Sequence, residues 1–325
     1  MTADTAAPPV SFDFEAIGTH WQIETPAPLD ASVRAAVLER IEAFDAAYSR
    51  FRPDSLVTAL ALGAGSIGLP PDAEPLFTLY DQLFDATGGA VDPLVGRDLE
   101  LLGYDAAYSL RPAAGSPLTG SPSGGPHDGG STDGAAPGAP HRAAWPSVIR
   151  TPVSDSDSDS GGVTVTAPQG TVLDVGAAGK GYLVDLVAEV LRSHGLTEFV
   201  VDASGDLVHA GSTPIRVGLE HPLDPTKAIG VAEIAGAALC ASASNRRAWG
   251  DGLHHIVDGR TGNPAREVVA TWVVARTTAL ADGLATALFF TGAHQLAKTF
   301  HFSYVRMYAD GRAERSRDFP GEIFR

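Results

Sequence analysis

The apolar positions of this chain change period several times, and each change predicts an element. Over residues 12–24 they alternate, which predicts one or two strands with a bulge or bend at Gly18-Thr19, because glycine inside a strand weakens it. Val33, Val37, Ile41, Phe44, Tyr48 and Phe51 then recur every three or four residues, the apolar stripe of a core-facing helix. The stripe stops at Pro53, where a polar loop begins. A shorter helix is expected over 76–84. Residues 87–103 hold two adjacent glycines and an Asp-Pro and read as a constrained loop, flanked by Tyr80, Phe84 and Tyr104.

Strands are expected at 144–149 and 163–166. Leu183, Val187, Val190 and Leu191 fall at helical spacing, up to a stop at Gly195. Strands follow at 198–203, 215–219, 229–234 and 268–275. A helix opens at 281–288, another runs through Leu296, a strand covers 304–308, and Asp310-Gly311 marks a turn. The sum is an α+β protein.

Composition changes this picture in one region. Residues 111–143 are mostly Gly, Pro, Ser and Ala, and Ser alternates with Asp just before 161. Such segments cannot bury enough apolar surface to offset the entropy of ordering. They are expected to be a disordered insertion, at about 111–143 and 153–161, in a single domain spanning 12–325 after a disordered tail at 1–11; a linker between two domains is the alternative.

Charge and cysteine count exclude some partners. A net charge of −16 repels nucleic acid and anionic membrane, so any phosphate site must be made locally. One cysteine, Cys240, permits no internal disulfide. No run approaches the roughly 18 apolar residues of a membrane helix, so no stable membrane insertion is expected. The first ten residues carry neither a basic region nor an apolar core nor a lipidation cysteine, and the expected location is the cytoplasm.

The candidate chemistry sits in three places. Leu-Asp-Val-Gly-Ala-Ala-Gly-Lys-Gly-Tyr, from Leu173, reads as a Gly-rich turn feeding a helix whose free N–H groups, with Lys180, could cradle an anion. It is not a P-loop, because Gly181 occupies the Ser/Thr position. His254-His255-Ile256-Val257-Asp258-Gly259-Arg260-Thr261-Gly262-Asn263-Pro264 gathers imidazoles, a carboxylate and an arginine. Asp282 and Thr286 are four apart on a helix, so their oxygens share a face and suit a hard cation; the alternative is a first-turn helix acid and a hydroxyl bonded one turn back.

Taken in order, these motifs resemble the ApbE family of flavin transferases. The resemblance rests on Ala16-Ile17-Gly18-Thr19, on Ser49-Arg50-Phe51 with Ser55, on Gly89-Ala90-Val91-Asp92-Pro93, on Asp174 through Asp185, on Ser204-Gly205-Asp206, on His255 through Pro264, and on Ala281 through Ala287. It implies an ApbE-like α+β fold of mixed sheets and helices, in two lobes around a central flavin cleft. It also implies an activity: FMN moves from FAD to a Thr or Ser hydroxyl of an acceptor protein, and AMP is released. A Mg²⁺-dependent FAD pyrophosphatase and a non-catalytic FAD carrier are the alternatives.

The family's pattern implies roles as well. Asp282, Thr286 and the Gly179 carbonyl would bind Mg²⁺, which would bridge to the FAD pyrophosphate. His255 would be the general base, with Asp258 beside it. Gly18, Thr19, Gly89, Ala90, Asp92, Asp174, Lys180, Asp185, Ser204, Gly205, Asp206, Ser242, Arg247 and Thr261 would contact FAD. The chain departs from the pattern at Ile17, Gly179, Ser204, Ser242-Ala243 and Gly259; Ser204 is expected to narrow the ligand's space and Gly259 to loosen a turn.

Overall fold

The computed structural model describes residues 8–113, 116, 143–153 and 162–324. Strands β1 (Val10–Ala16) and β2 (Thr19–Thr25) form a hairpin. Its two turn residues, Ile17 and Gly18, have φ of 46° and 73°, the left-handed pair that matches the twist of the flanking strands. The expected bend is thus a full reversal, and residues 10–11, assigned above to the tail, belong to the sheet.

Helix α1 (Ala31–Tyr48) buries Val33, Val37, Ile41, Phe44 and Tyr48, as the stripe predicts; Phe51 lies beyond its end. The short α2 (Leu56–Ala59) starts at Ser55, whose Oγ accepts the Thr58 N–H. Strand β3 (Ser66–Leu69) leads to α3 (Ala73–Thr87), closed by left-handed Gly88. The loop expected over 87–103 is only partly a loop. Asp92 accepts the Leu94 N–H, Pro93 starts a helical turn where its missing donor costs nothing, and α4 (Gly96–Leu101) follows.

The strand expected at 144–149 is corrected too. A helical turn at Trp145–Ser147, with Pro146 as its second residue, precedes β4 (Ile149–Val153), which pairs with β5 (Gly162–Thr166). Residues 1–7 of the tail and 114–115, 117–142 and 154–161 of the low-complexity insertion lie outside the described residues. Helix α5 (Gly179–Ser193) ends before Gly195, whose φ is 83°.

Next come β6 (Phe199–Asp202), β7 (Asp206–Ala210), β8 (Ile215–His221), β9 (Asp224–Ile234), β10 (Ala238–Ala243), β11 (Ala248–Trp249) and β12 (Leu253–His254). Strand β13 (Val268–Ala275), α6 (Thr278–Ala287), α7 (Ala293–Leu296), β14 (Ser303–Tyr308), β15 (Ala313–Arg315) and β16 (Gly321–Ile323) complete the chain.

An eight-stranded sheet in the order β1-β2-β6-β7-β10-β13-β14-β15 is the spine. One face carries α1, α5 and α6 over Ile23, Val201, Val208, Cys240 and Val273. The other packs Leu207, Leu239, Trp272 and Val305 against Leu219, Ala232 and Ile234 of a three-stranded sheet, β16-β9-β8. Covered on both faces, β13 is apolar along most of its length rather than alternating. Among the described residues no helix is long and apolar enough to cross a membrane.

Candidate active site

The loops at one end of the spine sheet, with the end of α1, the start of α5 and Asp282 and Thr286 of α6, enclose a cleft of about 810 Å³, within the range of small-molecule sites. Helices α5 and α6 meet at its floor. A Cβ on Gly181 would come within 2.4 Å of the Thr278 carbonyl oxygen and 2.7 Å of Asp282 Cβ, so only glycine lets the helices approach this closely. That is why the P-loop hydroxyl position is a glycine here.

The approach closes the anion cradle from within. Asp282, buried, accepts the Gly181 N–H at 2.9 Å, so an amide at the start of α5 is already satisfied. Lys180 Nζ donates to the Ala203 carbonyl at 2.6 Å and pairs with Asp206 at 2.7 Å. Burial favours the neutral amine, but Asp206 and Asp282 outweigh it and the Lys180 pKa is raised. Lys180 therefore lines the cleft as a held cation, tying α5 to the turn before β7, not as a free phosphate arm.

Asp282 stands in the second turn of α6, not the first, which removes the helix-start explanation. Burial, and then the charge of Asp206, push its carboxyl pKa well above the usual range. Thr286 Oγ1 lies 3.4 Å from the Ala177 carbonyl oxygen, and all three residues line the cleft. One crowded carboxylate, one hydroxyl and a backbone carbonyl are the oxygen donors a hard cation takes, and positive charge here would relieve the repulsion between Asp282 and Asp206. No group of three or more His, Cys, Asp or Glu able to hold a metal occurs among the described residues. A cation here would thus rely on neutral oxygens and ligand oxygens. Gly179 also lines the cleft, and the carbonyl that accepts from Thr286 Oγ1 is that of Ala177.

The opposite wall is aromatic and basic. Tyr104 stacks on Trp249 with centroids 5.6 Å apart, and Phe51 stacks on Tyr108 at 5.1 Å. Arg50 is buried: it pairs with Asp174, donates to the Tyr104 carbonyl at 2.9 Å, and lies 4.2 Å over the Phe51 ring. Arg247 donates to the Tyr104 hydroxyl at 2.6 Å. Burial, then the charge of Arg247, lower the His255 pKa to about 3, so its ring is neutral at pH 7. Its Nδ1 is buried with no hydrogen-bond partner among the described residues.

The cleft brings together Gly18, Thr19, Ala90, Asp92, Asp174, Gly179, Lys180, Ser204, Asp206, Ser242, Arg247, His255, Asp282 and Thr286. Asp258, Gly89, Asp185, Gly205 and Thr261 do not line it. Asp258 grips Arg260 and makes no bond to His255, so the two do not act as a pair. Asp185 accepts the N–H groups of Thr278 and Ala279 and caps α6. Gly205 spans a turn with φ of 99°, and Thr261 accepts the Asn263 N–H in another.

Gly259 tightens its loop rather than loosening it: its N–H donates to the Ala90 carbonyl at 2.8 Å, and a Cβ would stand 2.5 Å from the Gly89 carbonyl oxygen. Ser204, at φ 53°, hydrogen-bonds the His20 carbonyl and joins the hairpin to the rim. Arg50, Phe51, Tyr104, Tyr108 and Ala177 are cleft residues missing from the predicted set. Arg50, Phe51 and Ala177 belong to quoted motifs and could have been found from them; Tyr108 carries no sequence signal.

A profile described as the ApbE family matches residues 17–305. The chain belongs to the ApbE family. Among curated ApbE relatives, a protein of Rhodobacter capsulatus named FAD:protein FMN transferase is 28% identical over 299 residues, covering 88% of this chain and 52% of that one. One of the same name from Treponema pallidum is 28% identical over 303 residues, covering 85% and 77%. The chain spans 37% and 52% of the lengths of the first two curated relatives it matches. The fold is similar to that of an ApbE protein from Thermotoga maritima, with a TM-score of 0.76, 22% identity and 97% and 100% of the two chains covered. A flavin transferase ApbE from Vibrio cholerae gives 0.71 at 20% identity, covering 96% and 98%.

Proposed function

We propose that this protein transfers FMN from FAD to a serine or threonine hydroxyl of an acceptor protein, with Mg²⁺ as cofactor. The carrying observation is that one cleft joins the Asp282, Thr286 and Ala177 oxygens to an arginine-and-aromatic wall around a neutral His255. In an acidic molecule the cation would supply the charge that lets a pyrophosphate approach the floor. Arg247 adds positive charge from the wall, and the exposed ring of Tyr108, stacked on Phe51, offers a flat surface to the rings of FAD.

His255 is the proposed base. Neutral at pH 7, it takes the acceptor hydroxyl's proton as that oxygen bonds to the FMN-side phosphorus; the bond to the AMP phosphate oxygen breaks, and AMP leaves with its electron pair. Such chemistry is mainly positioning and charge neutralisation, which suits a site of loops. Asp258, held by Arg260, is not its partner; Asp174, Arg247 and Ser242 are the proposed substrate contacts. Incubation with FAD and Mg²⁺, with and without candidate acceptors, tests the reading. A labelled acceptor supports it, free FMN and AMP with no labelled acceptor would make the protein a pyrophosphatase, and bound but unchanged FAD would make it a carrier.

A further inference from the structure

The outer edge of the spine sheet is strand β1, and no strand lies beyond it among the described residues. In a two-residue hairpin the pair flanking the turn, Ala16 and Thr19, exchanges hydrogen bonds, and pairs alternate from there. Phe14, Phe12 and Val10 therefore bond inward to β2. Ser11, Asp13 and Glu15 turn their backbone N–H and C=O groups outward, a row of donors and acceptors that pair with no strand among the described residues.

The two faces of this edge differ chemically. On the core face Phe12 and Phe14, with centroids 4.9 Å apart, are only partly buried. On the other face Asp13 and Glu15 are exposed, with His20 at 3.4 and 3.1 Å from them. The edge also runs into the cleft, because Glu15, Ile17, Gly18 and Thr19 line it. A strand added to β1 would cover the two phenylalanines with one set of side chains and face the carboxylates with the other, and its end would lie at the cleft mouth.

We propose that the free edge of β1 docks the acceptor protein by strand addition, taking an extended segment of alternating apolar and basic residues antiparallel to β1 and so placing a hydroxyl just N-terminal to that segment at the cleft. Backbone bonds give the affinity in this mode and alternate side chains the choice of partner. Antiparallel pairing is the commoner and slightly stronger geometry. The inference rests on the FMN-transfer reading and adds the class of partner.

The probe is a synthetic peptide in which a threonine is followed by alternating valine and lysine, supplied with FAD and Mg²⁺. Ser11→Pro and Asp13→Pro each delete an outward N–H while sparing the backbone bonds to β2. The KM for the peptide is expected to rise on the order of 10-fold in each, while the affinity for FAD stays as in the wild type. Asp13→Lys, which keeps the strand's backbone, should raise the KM for the lysine peptide and lower it for one carrying glutamate instead; this charge swap decides the matter if the proline variants do not fold.

An unchanged KM in all three variants overturns the proposal. So does a wild-type dimer that Asp13→Pro dissociates, which would give the edge to a second copy, or peptide binding that appears only after deletion of residues 117–142, which would give it to the chain itself. A wild type that releases no AMP with any acceptor removes the transfer reading; normal AMP release with an indifferent edge removes only this inference.

Discussion

His255 shows how its surroundings set a single residue's chemistry. Its pKa is about 3 in the folded protein against 6.5 unperturbed, so between those values the unfolded chain binds the extra proton. Stability from this group is complete above pH 6.5 and is lost as the pH falls toward 3. Denaturant titrations of wild type and His255→Gln across that window should show a shallower loss in the variant. The acid limb of kcat/KM should likewise fall well below 6.5, because that profile reports the free enzyme. His255→Gln should keep FAD binding and lose turnover by roughly 100- to 10,000-fold; equal loss of both would mark a structural histidine. At the floor, Asp282→Asn keeps an acceptor for the Gly181 N–H and removes a charge that burial and Asp206 disfavour. Thermal unfolding without Mg²⁺ should be no earlier than in the wild type, whereas stabilisation by added Mg²⁺ should vanish. Undiminished Mg²⁺ stabilisation in this variant would refute the metal assignment.

Among the elements, the α5–α6 contact is the decisive one. It holds Asp282 against the Gly181 amide, and Asp185, on α5, caps α6 in return. Gly181→Ala pushes a methyl into the Thr278 carbonyl and Asp282 Cβ, and overpacking of this kind costs about 1–3 kcal/mol. Urea denaturation should read a loss of that size, with weaker Mg²⁺ binding because the floor moves apart; a variant as stable as the wild type would mean that the helices shift freely. Element type was legible wherever one period ran long enough. The α1 stripe from Val33 to Tyr48 and the β13 run each emerge as predicted. Element ends were not: Phe51 continues the spacing of α1 but stands outside the helix, and α4 was hidden by the glycines and proline around it.

For the whole molecule, the low-complexity tract separates what composition says from where the chain is anchored. The Ala113 N–H donates to the Leu101 carbonyl, Ser116 is buried, and a Cβ on Gly103 would touch the Arg111 backbone, so 111–113 and 116 belong to the packed molecule. Replacing 117–142 with a short Gly/Ser linker should therefore leave the thermal midpoint and FAD binding unchanged, whereas removing 111–143 should lower both. A large loss from the smaller deletion would show that the tract packs on the core.

The sequence by itself determined the α+β class, the helical and strand periods, and the order of the family's motifs, because apolar spacing and short-range turn chemistry are local properties. It could also name Asp282, Thr286 and His255, since each lies in a motif. Only the tertiary structure decided which motif residues share a space. It moved Asp258 to Arg260, Asp185 to a helix cap and Lys180 to Asp206, and brought Tyr108 and Ala177 to the cleft. The physical reason is range: a hydrogen bond or a stacked ring acts across a few ångströms whatever the separation in sequence. The separation of 23 positions from Lys180 to Ala203, or of 109 from Ala177 to Thr286, leaves no trace in spacing or composition.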